Sequence, residues 1–432
     1  MIDRKKVLYY TLGCKLNFSE TSTIARELKK YGCEKVKEGE VADIIVVNTC
    51  SVTDHADKKC RQSIKKLIKR NPGAYVIVTG CYAQLKPDEV SNISGVDLVL
   101  SVKDKFDIEK YIEHIKKHSD ATYSCGYRDV AEFHSSFSYG DRTRCFLKVQ
   151  DGCDYFCSYC TIPLARGKSR NMPIQEVIDE VIEITNRGVK EIVITGINTG
   201  DFGKSTGENF FDLIKELDKI NANVRYRISS IEPNLLTDEI IEWISTSKRF
   251  MPHFHIPLQA GTNEVLKLMR RRYTTEDFAH KIDLIKKYMP NSFIGVDVIT
   301  GMMGETEDLF EKAKEFISSL NFQQLHVFPY SERAGTRALN ISPKVPIGER
   351  KERGRLLSLI SDKHTQDFYS KNLGKELNVL FEEDLHEGMM VGFTENYIRV
   401  EVPYQKEFIN EIVLVKLLQL NENGHVLGEI IK

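Results

Sequence analysis

The sequence lacks several features that would place the protein in a large class at once. No apolar run approaches the roughly 18 residues of a membrane-spanning helix, and the opening stretch MIDRKKVLYYTLGC is too short in apolar residues and too polar for a signal peptide. We find no internal repeat, low-complexity tract, P-loop or Ser/His/Asp set. With 41% hydrophobic and 28% charged residues, the composition is that of a soluble globular protein. We therefore expect a cytoplasmic protein with no membrane partner.

An excess of either charge is also missing, because 61 Lys and Arg stand against 62 Asp and Glu. If the charged residues were spread evenly over the surface, this near-zero net charge would argue against binding to nucleic acid. The basic residues are instead grouped: Lys58 to Arg70 carries seven Lys or Arg and no acid, and further groups are LARGKSR, KLMRRR and RAGTR. A solvated helix face is the simplest explanation of one such run. Several together favour an anionic partner.

Short, nearly continuous apolar runs predict two series of buried parallel strands. The first series is KVLYYTLG, ADIIVVNT, AYVIVTG and VDLVL, and it predicts an open parallel-sheet α/β domain over residues 1–120, followed by a linker at 121–140. The second series, from CFLKVQ to QLHVFPY, has six βα units over residues 141–368. Six units are too few for a closed eight-stranded barrel and predict a partial, TIM-like (βα)6 barrel.

The end of the chain changes character. After a charged helix at about 347–372, alternating strand patterns with turn residues between them occupy the rest of the sequence. This pattern predicts a small antiparallel β-barrel over residues 369–432.

Ten cysteines without a signal peptide are better explained as metal ligands than as disulfides. Three of them, Cys153, Cys157 and Cys160, lie in CDYFCSYC. Structural zinc sites and four-iron clusters both require four ligands, so one ligand is not accounted for. A zinc site completed by His134 or Cys145 fits on spacing alone. The alternative is an iron with an open coordination position, which would be placed for catalysis because the motif follows the first strand of the barrel series.

A second group of cysteines shares one topological position. Cys14, Cys50 and Cys81 each lie just past the carboxyl end of a predicted strand. In an open parallel sheet these ends lie along one edge, where ligands bind, so the three thiols are expected to converge in a second metal site. The alternative is that they are small buried hydrophobic residues, as we expect for Cys33, Cys125 and Cys145.

Cys-x3-Cys-x2-Cys with Tyr159 before the last cysteine resembles the signature of radical S-adenosylmethionine (SAM) enzymes. The resemblance extends to the methylthiotransferases through TLGCKLNFSET, NTCSVT, TGCYAQ, CDYFCSYCTIPLARGKSR, HIPLQAGTNEVLKLMRRRYT and GVDVITGMMGETED, in the family's order. The C-terminal segment resembles the TRAM domain of RNA-modifying enzymes. TLGCK and YCTIPLARGKSR are most similar to the branch that acts on N6-threonylcarbamoyladenosine 37 of tRNA. The sequence departs from the family at Met302 and Met303, where Phe-Pro is frequent.

The resemblance implies two 4Fe–4S clusters. Cys153, Cys157 and Cys160 would hold the cluster that binds and cleaves SAM, and the 5′-deoxyadenosyl radical would take the hydrogen from C2 of the adenine. Cys14, Cys50 and Cys81 would hold an auxiliary cluster that carries the sulfur donor. A second SAM would methylate the inserted sulfur, so two SAM are used per turnover. The implied partners are the tRNA anticodon stem-loop, a sulfur source, and an electron donor such as flavodoxin or ferredoxin.

Several side chains are candidates for contacts with cofactor or substrate. Tyr159 is expected to pack on the adenine of SAM, with ordinary core packing as the alternative. Thr195, Gly196 and Asn198 in TGINTG are expected to let the methionine part of SAM approach the backbone. Four arginines, whose planar forks suit carboxylate or phosphate, are expected to contact tRNA or the threonylcarbamoyl carboxylate, with solvated surface as the alternative: Arg166, Arg170, Arg333 and Arg337.

The predicted function is that of an enzyme, a tRNA (N6-L-threonylcarbamoyladenosine(37)-C2)-methylthiotransferase. Two alternatives stay open: the same chemistry on isopentenyladenosine 37 or on a ribosomal protein aspartate, and a non-catalytic iron–sulfur protein that binds RNA. Residues 371–432 hold six Lys or Arg and eleven Asp or Glu. RNA affinity must therefore come from a local patch of this segment or from the other domains.

Overall fold

The computed structural model describes residues 4–112, 121–140 and 142–431, and its first part is built on a parallel sheet. The two central strands are buried along their whole length, as expected when both faces of a sheet are covered. The elements are β1 (Lys6–Thr11), α1 (Lys15–Lys30), β2 (Glu34–Val36), β3 (Ile44–Thr49), α2 (Asp54–Arg70), β4 (Tyr75–Gly80), α3 (Cys81–Leu85), α4 (Pro87–Ser91), β5 (Leu98–Leu100), α5 (Ile108–Ile112) and β6 (Ala121–Tyr123). The strand order is β2-β1-β3-β4-β5-β6.

The open parallel sheet is confirmed, and the four apolar runs form β1, β3, β4 and β5. The sequence did not indicate the strands β2 and β6, which pair beside β1 and β5 at the two edges of the sheet. Each is only three residues long and mostly exposed. They therefore lack the apolar run by which a buried strand is recognised.

The central part forms the partial barrel that the sequence predicts. Its elements are β7 (Ser136–Phe137), β8 (Cys145–Lys148), β9 (Gln150–Asp151), α6 (Ile162–Arg166), β10 (Arg170–Asn171), α7 (Ile174–Asn186), β11 (Glu191–Thr195), α8 (Phe210–Asp218), β12 (Arg225–Ile228), α9 (Asp238–Thr246), β13 (His253–Gln259), α10 (Asn263–Met269), α11 (Thr275–Tyr288), β14 (Phe293–Thr300), α12 (Glu307–Ser319), β15 (Gln324–Pro329) and α13 (Ile347–Asn372). Strands β8, β11 and β12 pair in parallel, as do β13, β14 and β15.

Two isolated parallel bridges, Tyr226 with Phe250 and Ser230 with His255, join these two groups of three strands. The six parallel strands thus run as one curved sheet from β8 to β15. Its outer face packs on the helices through a large apolar core, with Leu147, Ile192 and Ile194 among the fully buried residues. The carboxyl ends of the strands remain available for a site.

The segment 121–140, expected to be a linker, is more structured than its polar composition suggests. Its start forms β6 on the first sheet, and β7 near its end pairs antiparallel with β8 of the barrel. Phe137 is buried, and the hydroxyls of Ser136 and Ser19 are 3.1 Å apart. Because this anchoring uses side chains of α1, which is distant in sequence, the local composition of the segment could not indicate it.

The chain ends in a closed five-stranded barrel. Its strands are β16 (Glu376–His386), β17 (Met389–Thr394), β18 (Arg399–Pro403), β19 (Ile412–Leu420) and β20 (Val426–Ile430), in the order β16-β17-β18-β20-β19. The pairing of β18 with β20 is parallel and the other pairings are antiparallel. Phe368 and Tyr369 of α13 pack into the core of this barrel. Within the described residues, no helix combines the length and apolarity that a bilayer crossing requires.

A buried ionic network fastens the first sheet to the central barrel. Glu20 of α1 is fully buried and accepts hydrogen bonds from Lys105 Nζ at 2.6 Å, from Lys148 Nζ at 3.2 Å and from Arg166 at 3.0 Å. Burial alone would raise the pKa of Glu20, but Arg166 and the two lysines hold it well below its usual range. The carboxylate therefore stays charged, as a buried ion with good partners can.

We predict that Glu20→Gln weakens this junction strongly. Three buried cations would lose their shared carboxylate, and breaking a buried pair from one side costs about 3–5 kcal/mol. Glu27→Gln on the same helix is the control, because its ion pair with Lys30 is exposed and is worth about 0–1 kcal/mol. Urea unfolding measures both variants. Equal losses of stability would show that the network does not hold the two parts together.

Candidate active site

Six cysteines line one cavity between the first sheet and the carboxyl ends of the barrel strands. The cavity measures about 520 Å³. Its sulfur-bearing residues are Cys14, Cys50 and Cys81 from the first sheet, and Cys153, Cys157 and Cys160 from the loop after β9. None of the ten cysteines, all of which lie in the described residues, forms a disulfide bond. The structure thus brings two groups of three thiols, predicted separately, to the same space.

The first group meets because three neighbouring strands end in register. Cys14 follows β1 and caps α1, Cys50 follows β3, and Cys81 begins α3 directly after β4. The register pairs Thr11 with Asn48 and Thr49 with Gly80, so the three carboxyl ends lie side by side. This is the edge of a parallel sheet at which ligands bind.

Glycines fix the turns that present two of these thiols. Gly13, before Cys14, has φ of 110°, and a Cβ there would lie 2.7 Å from Cys50 Cβ. Gly80, before Cys81, has φ of 97°, and a Cβ there would lie 2.4 Å from the carbonyl oxygen of Thr49. Only glycine combines this backbone conformation with such close packing.

The second group is supported by donors that point at sulfur. Tyr155 N–H donates to Cys153 Sγ at 3.5 Å, Ile162 N–H to Cys160 Sγ at 3.4 Å, and the Arg271 guanidinium to Cys157 Sγ at 3.2 Å. Burial raises the pKa of Cys153 and Cys160 to about 12. A cation must therefore displace the protons before these sulfurs act as ligands.

The zinc alternative is not supported. His134 stacks on Phe106 with ring centroids 4.8 Å apart, and Cys145 is buried in the outer core of the barrel. Neither of these proposed fourth ligands lines the cavity. Each group therefore supplies three thiols around open space, a donor set that suits a 4Fe–4S cluster with one iron left free.

Three of the four residues expected to contact SAM line the cavity. They are Tyr159, Gly196 and Asn198. Asn198 is held in place, since its N–H donates to Gln150 Oε1 at 2.8 Å and its Nδ2 donates to Asp201 Oδ2 at 3.0 Å. Thr195 lies outside the cavity lining, and its hydroxyl donates to the Leu147 carbonyl at 2.8 Å within the sheet.

Three of the four arginines expected to bind substrate are buried and paired with carboxylates. Arg166 is fully buried and pairs with Glu20 and Asp151, both at 3.0 Å. Arg170 is buried and pairs with Asp151 at 3.1 Å.

The third buried arginine, Arg333, pairs with Asp57 at 3.0 Å and donates to Ser51 Oγ at 2.6 Å. All three side chains join parts of the chain around the cavity. Only Arg337 of the four is exposed. The neutralising carboxylates lie far away in sequence or outside the motifs, so the motifs alone could not reveal them.

Other residues at the cavity were not predicted. Arg271, read as part of the basic run KLMRRR, contacts Cys157 and pairs with Glu232. Asp297 also lines the cavity, and His255 Nε2 lies 2.7 Å from its Oδ1. His255 therefore faces the barrel interior, and His253, two residues earlier on the same strand, packs against Tyr397 with ring centroids 4.4 Å apart.

The basic segment forms helix α2, which starts at the cavity rim. Val52 and Thr53 line the cavity immediately before this helix. Some of its cations have carboxylate partners, such as Arg61 with Glu89. Exposed lysines of the helix that have no ion pair within the described residues are Lys59, Lys65 and Lys69. This face offers positive charge beside the cavity entrance.

Comparison with known proteins covers all three parts of the chain. Residues 6–101 match the family described as Uncharacterized protein family UPF0004, residues 147–317 match the Radical SAM superfamily, and residues 370–430 match the TRAM domain.

Curated relatives match over nearly the whole length. The chain is 40% identical to the threonylcarbamoyladenosine tRNA methylthiotransferase MtaB of Bacillus subtilis over 96% of this chain and 94% of the relative. It is 36% identical to MtaB of Thermotoga maritima over 97% of this chain and 96% of the relative. It is also 30% identical to the tRNA-2-methylthio-N(6)-dimethylallyladenosine synthase of Natranaerobius thermophilus, over 99% and 97%.

Among solved structures, the radical SAM methyltransferase TsrM of Kitasatospora setae, bound to cobalamin and a [4Fe-4S] cluster, superposes with a TM-score of 0.55. The match covers 76% of this chain and 75% of TsrM at 13% sequence identity. This likeness concerns the fold alone.

We predict that Gly80→Ala displaces Cys81 and removes metal from the first group of cysteines only. The new Cβ would clash with the Thr49 carbonyl at a left-handed backbone position, which costs more than 1 kcal/mol. Gly73→Ala is the matched control, since a Cβ there meets nothing within 4 Å. Iron content after anaerobic reconstitution measures the effect. Wild-type iron content in Gly80→Ala would contradict the assignment of Cys81.

Proposed function

Because this chain belongs to the radical SAM methylthiotransferase family, we propose that it modifies N6-threonylcarbamoyladenosine 37 of tRNA. The reaction inserts sulfur at C2 of the base and methylates it, giving 2-methylthio-N6-threonylcarbamoyladenosine. The observation that carries this proposal is the single cavity lined by both groups of three cysteines. The relatives named for this substrate, at up to 40% identity, support the choice of base. Such an enzyme would work in the cytoplasm, where its tRNA is found.

Each part of the chain has a role in this proposal. We assign an auxiliary 4Fe–4S cluster to Cys14, Cys50 and Cys81 within residues 1–120, and the radical SAM cluster to Cys153, Cys157 and Cys160 within residues 141–368. When bound, these groups and two SAM molecules per turnover supply hydrogen-atom abstraction, sulfur delivery and methyl transfer at one carbon. The TRAM domain at 369–432 contacts tRNA. A sulfur source and an electron donor such as flavodoxin or ferredoxin complete the system.

The chain places one arginine beside each group of cysteines. Arg271 donates to Cys157 Sγ, and the buried Arg166 lines the cavity together with Cys81. Burial raises the pKa of Cys81, and Arg166 opposes this rise. Positive charge next to a thiol favours the thiolate, which is the form that binds metal. The two arginines therefore prepare both groups for metal binding.

The cavity suits a base turned out of the anticodon loop. Its volume of about 520 Å³ lies in the range of roughly 300–1,000 Å³ found for small-molecule sites. Phe328 lines it with half of its side chain exposed, and Val52 lines it from the opposite side of the junction. An exposed aromatic ring at the mouth can stack on a splayed base. The lysines of α2 can contact the phosphates of the same stem-loop.

We predict that deletion of this gene changes the modified nucleosides of tRNA. The strain should lose 2-methylthio-N6-threonylcarbamoyladenosine and accumulate the form without the methylthio group, and the gene on a plasmid should restore the product. Mass spectrometry of tRNA digests measures both nucleosides. Persistence of the product with loss of 2-methylthio-isopentenyladenosine would assign the enzyme to the other base. No change in any tRNA nucleoside would favour a protein substrate or a non-catalytic role.

We also predict a division of labour between the two groups of cysteines. Cys157→Ala should abolish formation of 5′-deoxyadenosine with dithionite, because its group holds the cluster that binds SAM. Cys50→Ala should keep that reaction and stop sulfur insertion. Cys33→Ala is the control, since this buried cysteine lies in the same sheet domain away from the cavity. If Cys50→Ala and Cys157→Ala behaved alike in both assays, the proposed division would be wrong.

A further inference from the structure

A second cavity, of about 300 Å³, lies where the first sheet, the central barrel and the C-terminal barrel meet. Cys14 lines both this cavity and the larger one, so the two adjoin. Phe146, Val193 and Arg227 occupy paired positions on neighbouring strands and all line it. The second cavity therefore lies against the inner face of the barrel, beside the proposed position of the target base.

The lining of this cavity is strongly basic. Among the described residues that line it none is acidic, and four are cations: Lys15, Arg142, Arg144 and Arg227. The two arginines on or next to barrel strands have partners, since Arg144 pairs with Glu382 at 3.0 Å and Arg227 shares Glu191 with Arg225.

Lys15 and Arg142 differ from these two arginines, because neither has a carboxylate partner within the described part of the chain. Arg142 lies over the ring of Phe18, with its guanidinium carbon 4.3 Å from the ring centroid. Lys15 is half-buried at the start of α1. A positive charge that is partly buried without a carboxylate partner is stabilised by a bound anion.

A further polar atom of the cavity wall also lacks a partner. His253 is buried, and its Nδ1 has no hydrogen-bond partner within the described residues. The hydroxyl of Tyr397, also in the wall, accepts from Arg144 at 3.2 Å. Within the described residues, the cavity thus offers two cations without a carboxylate partner and one imidazole nitrogen without a hydrogen-bond partner. This set suits a ligand that carries a carboxylate next to a hydroxyl.

We propose that this second cavity binds the carboxylate of the threonylcarbamoyl group while the adenine lies in the cysteine-lined cavity. The inference rests on the proposed function. The threonyl part carries a carboxylate and a hydroxyl, whereas the dimethylallyl group carries neither. A site built for a charged substituent disfavours an apolar one, because the half-buried Lys15 and the exposed Arg142 would remain without a carboxylate partner. The cavity would thus determine that the enzyme acts on the threonylcarbamoyl-modified adenosine and not on the dimethylallyl-modified one.

Arg142→Gln tests this role with the anaerobically reconstituted enzyme. Affinity is measured for two anticodon stem-loops that differ only at nucleotide 37, one with threonylcarbamoyladenosine and one with unmodified adenosine. The wild-type enzyme should prefer the first by at least about tenfold, the size of one charge-assisted hydrogen bond. Arg142→Gln should lose most of this preference by weakening only the first complex. Lys15→Met should do the same, and Lys15→Arg should keep the preference.

Arg355→Gln is the matched control, because Arg355 is an exposed arginine of α13 that pairs only with Glu352. A stem-loop with the carboxylate methylated gives an independent test, since the wild-type enzyme should bind it no better than the unmodified RNA. Formation of 5′-deoxyadenosine without RNA shows that each variant is folded and loaded.

Equal weakening of both RNAs by Arg142→Gln would mean that the cavity holds a backbone phosphate, and it would overturn the proposal. An unchanged preference would overturn it as well. Failure of the proposed function is a separate result, in which the wild-type enzyme forms no methylthio product on the first stem-loop. If that product forms and the variants keep the preference, only the carboxylate site is wrong.

Discussion

The buried carboxylate of Glu20 is the contact on which the rest of the site depends. It belongs to helix α1, which Cys14 caps, and it binds Arg166, the last residue of the short helix α6 that follows Cys160. Each partner would be costly to bury alone, so the network requires the two parts of the chain to dock with these charges paired. Docking places the carboxyl edge of the flat sheet opposite the open ends of the barrel. The two groups of three cysteines thereby line one cavity.

The distribution of positive charge around this cavity has a second consequence. Arg166 and Arg333 form ion pairs with carboxylates of the first sheet domain. These pairs join the two domains, and they leave neither arginine free to bind an external anion. Within the described residues, cations without a carboxylate partner remain at Lys59, Lys65 and Lys69 of α2 outside the cavity, and at Lys15 and Arg142 in the adjoining one. Paired cations thus join the parts of the site, and in our proposal the unpaired cations bind the phosphates and the carboxylate of the substrate.

Sequence reasoning succeeded where the signal is local. The strands of both sheets, the helix Ile347–Asn372 and the positions of the six cysteines follow from apolar runs, turn residues and the rule for parallel sheet edges. Sequence reasoning failed where the role of a residue depends on an interaction partner that is distant in the sequence. Arg166 and Glu20 are separated by 146 residues, and no pattern near either one indicates the other. The edge strands and Arg271 were missed for a related reason, since their roles depend on neighbours that only the fold supplies.

The central claim is that both groups of cysteines hold clusters that face each other across one cavity. Pulsed electron paramagnetic resonance of the fully reduced, reconstituted protein tests it most directly, because two paramagnetic clusters at short range broaden and split each other's signals. The account predicts a magnetic interaction in the wild-type protein that disappears when Cys50 is replaced by alanine, leaving one simple cluster spectrum. Two spectra that add without interaction would contradict the shared cavity.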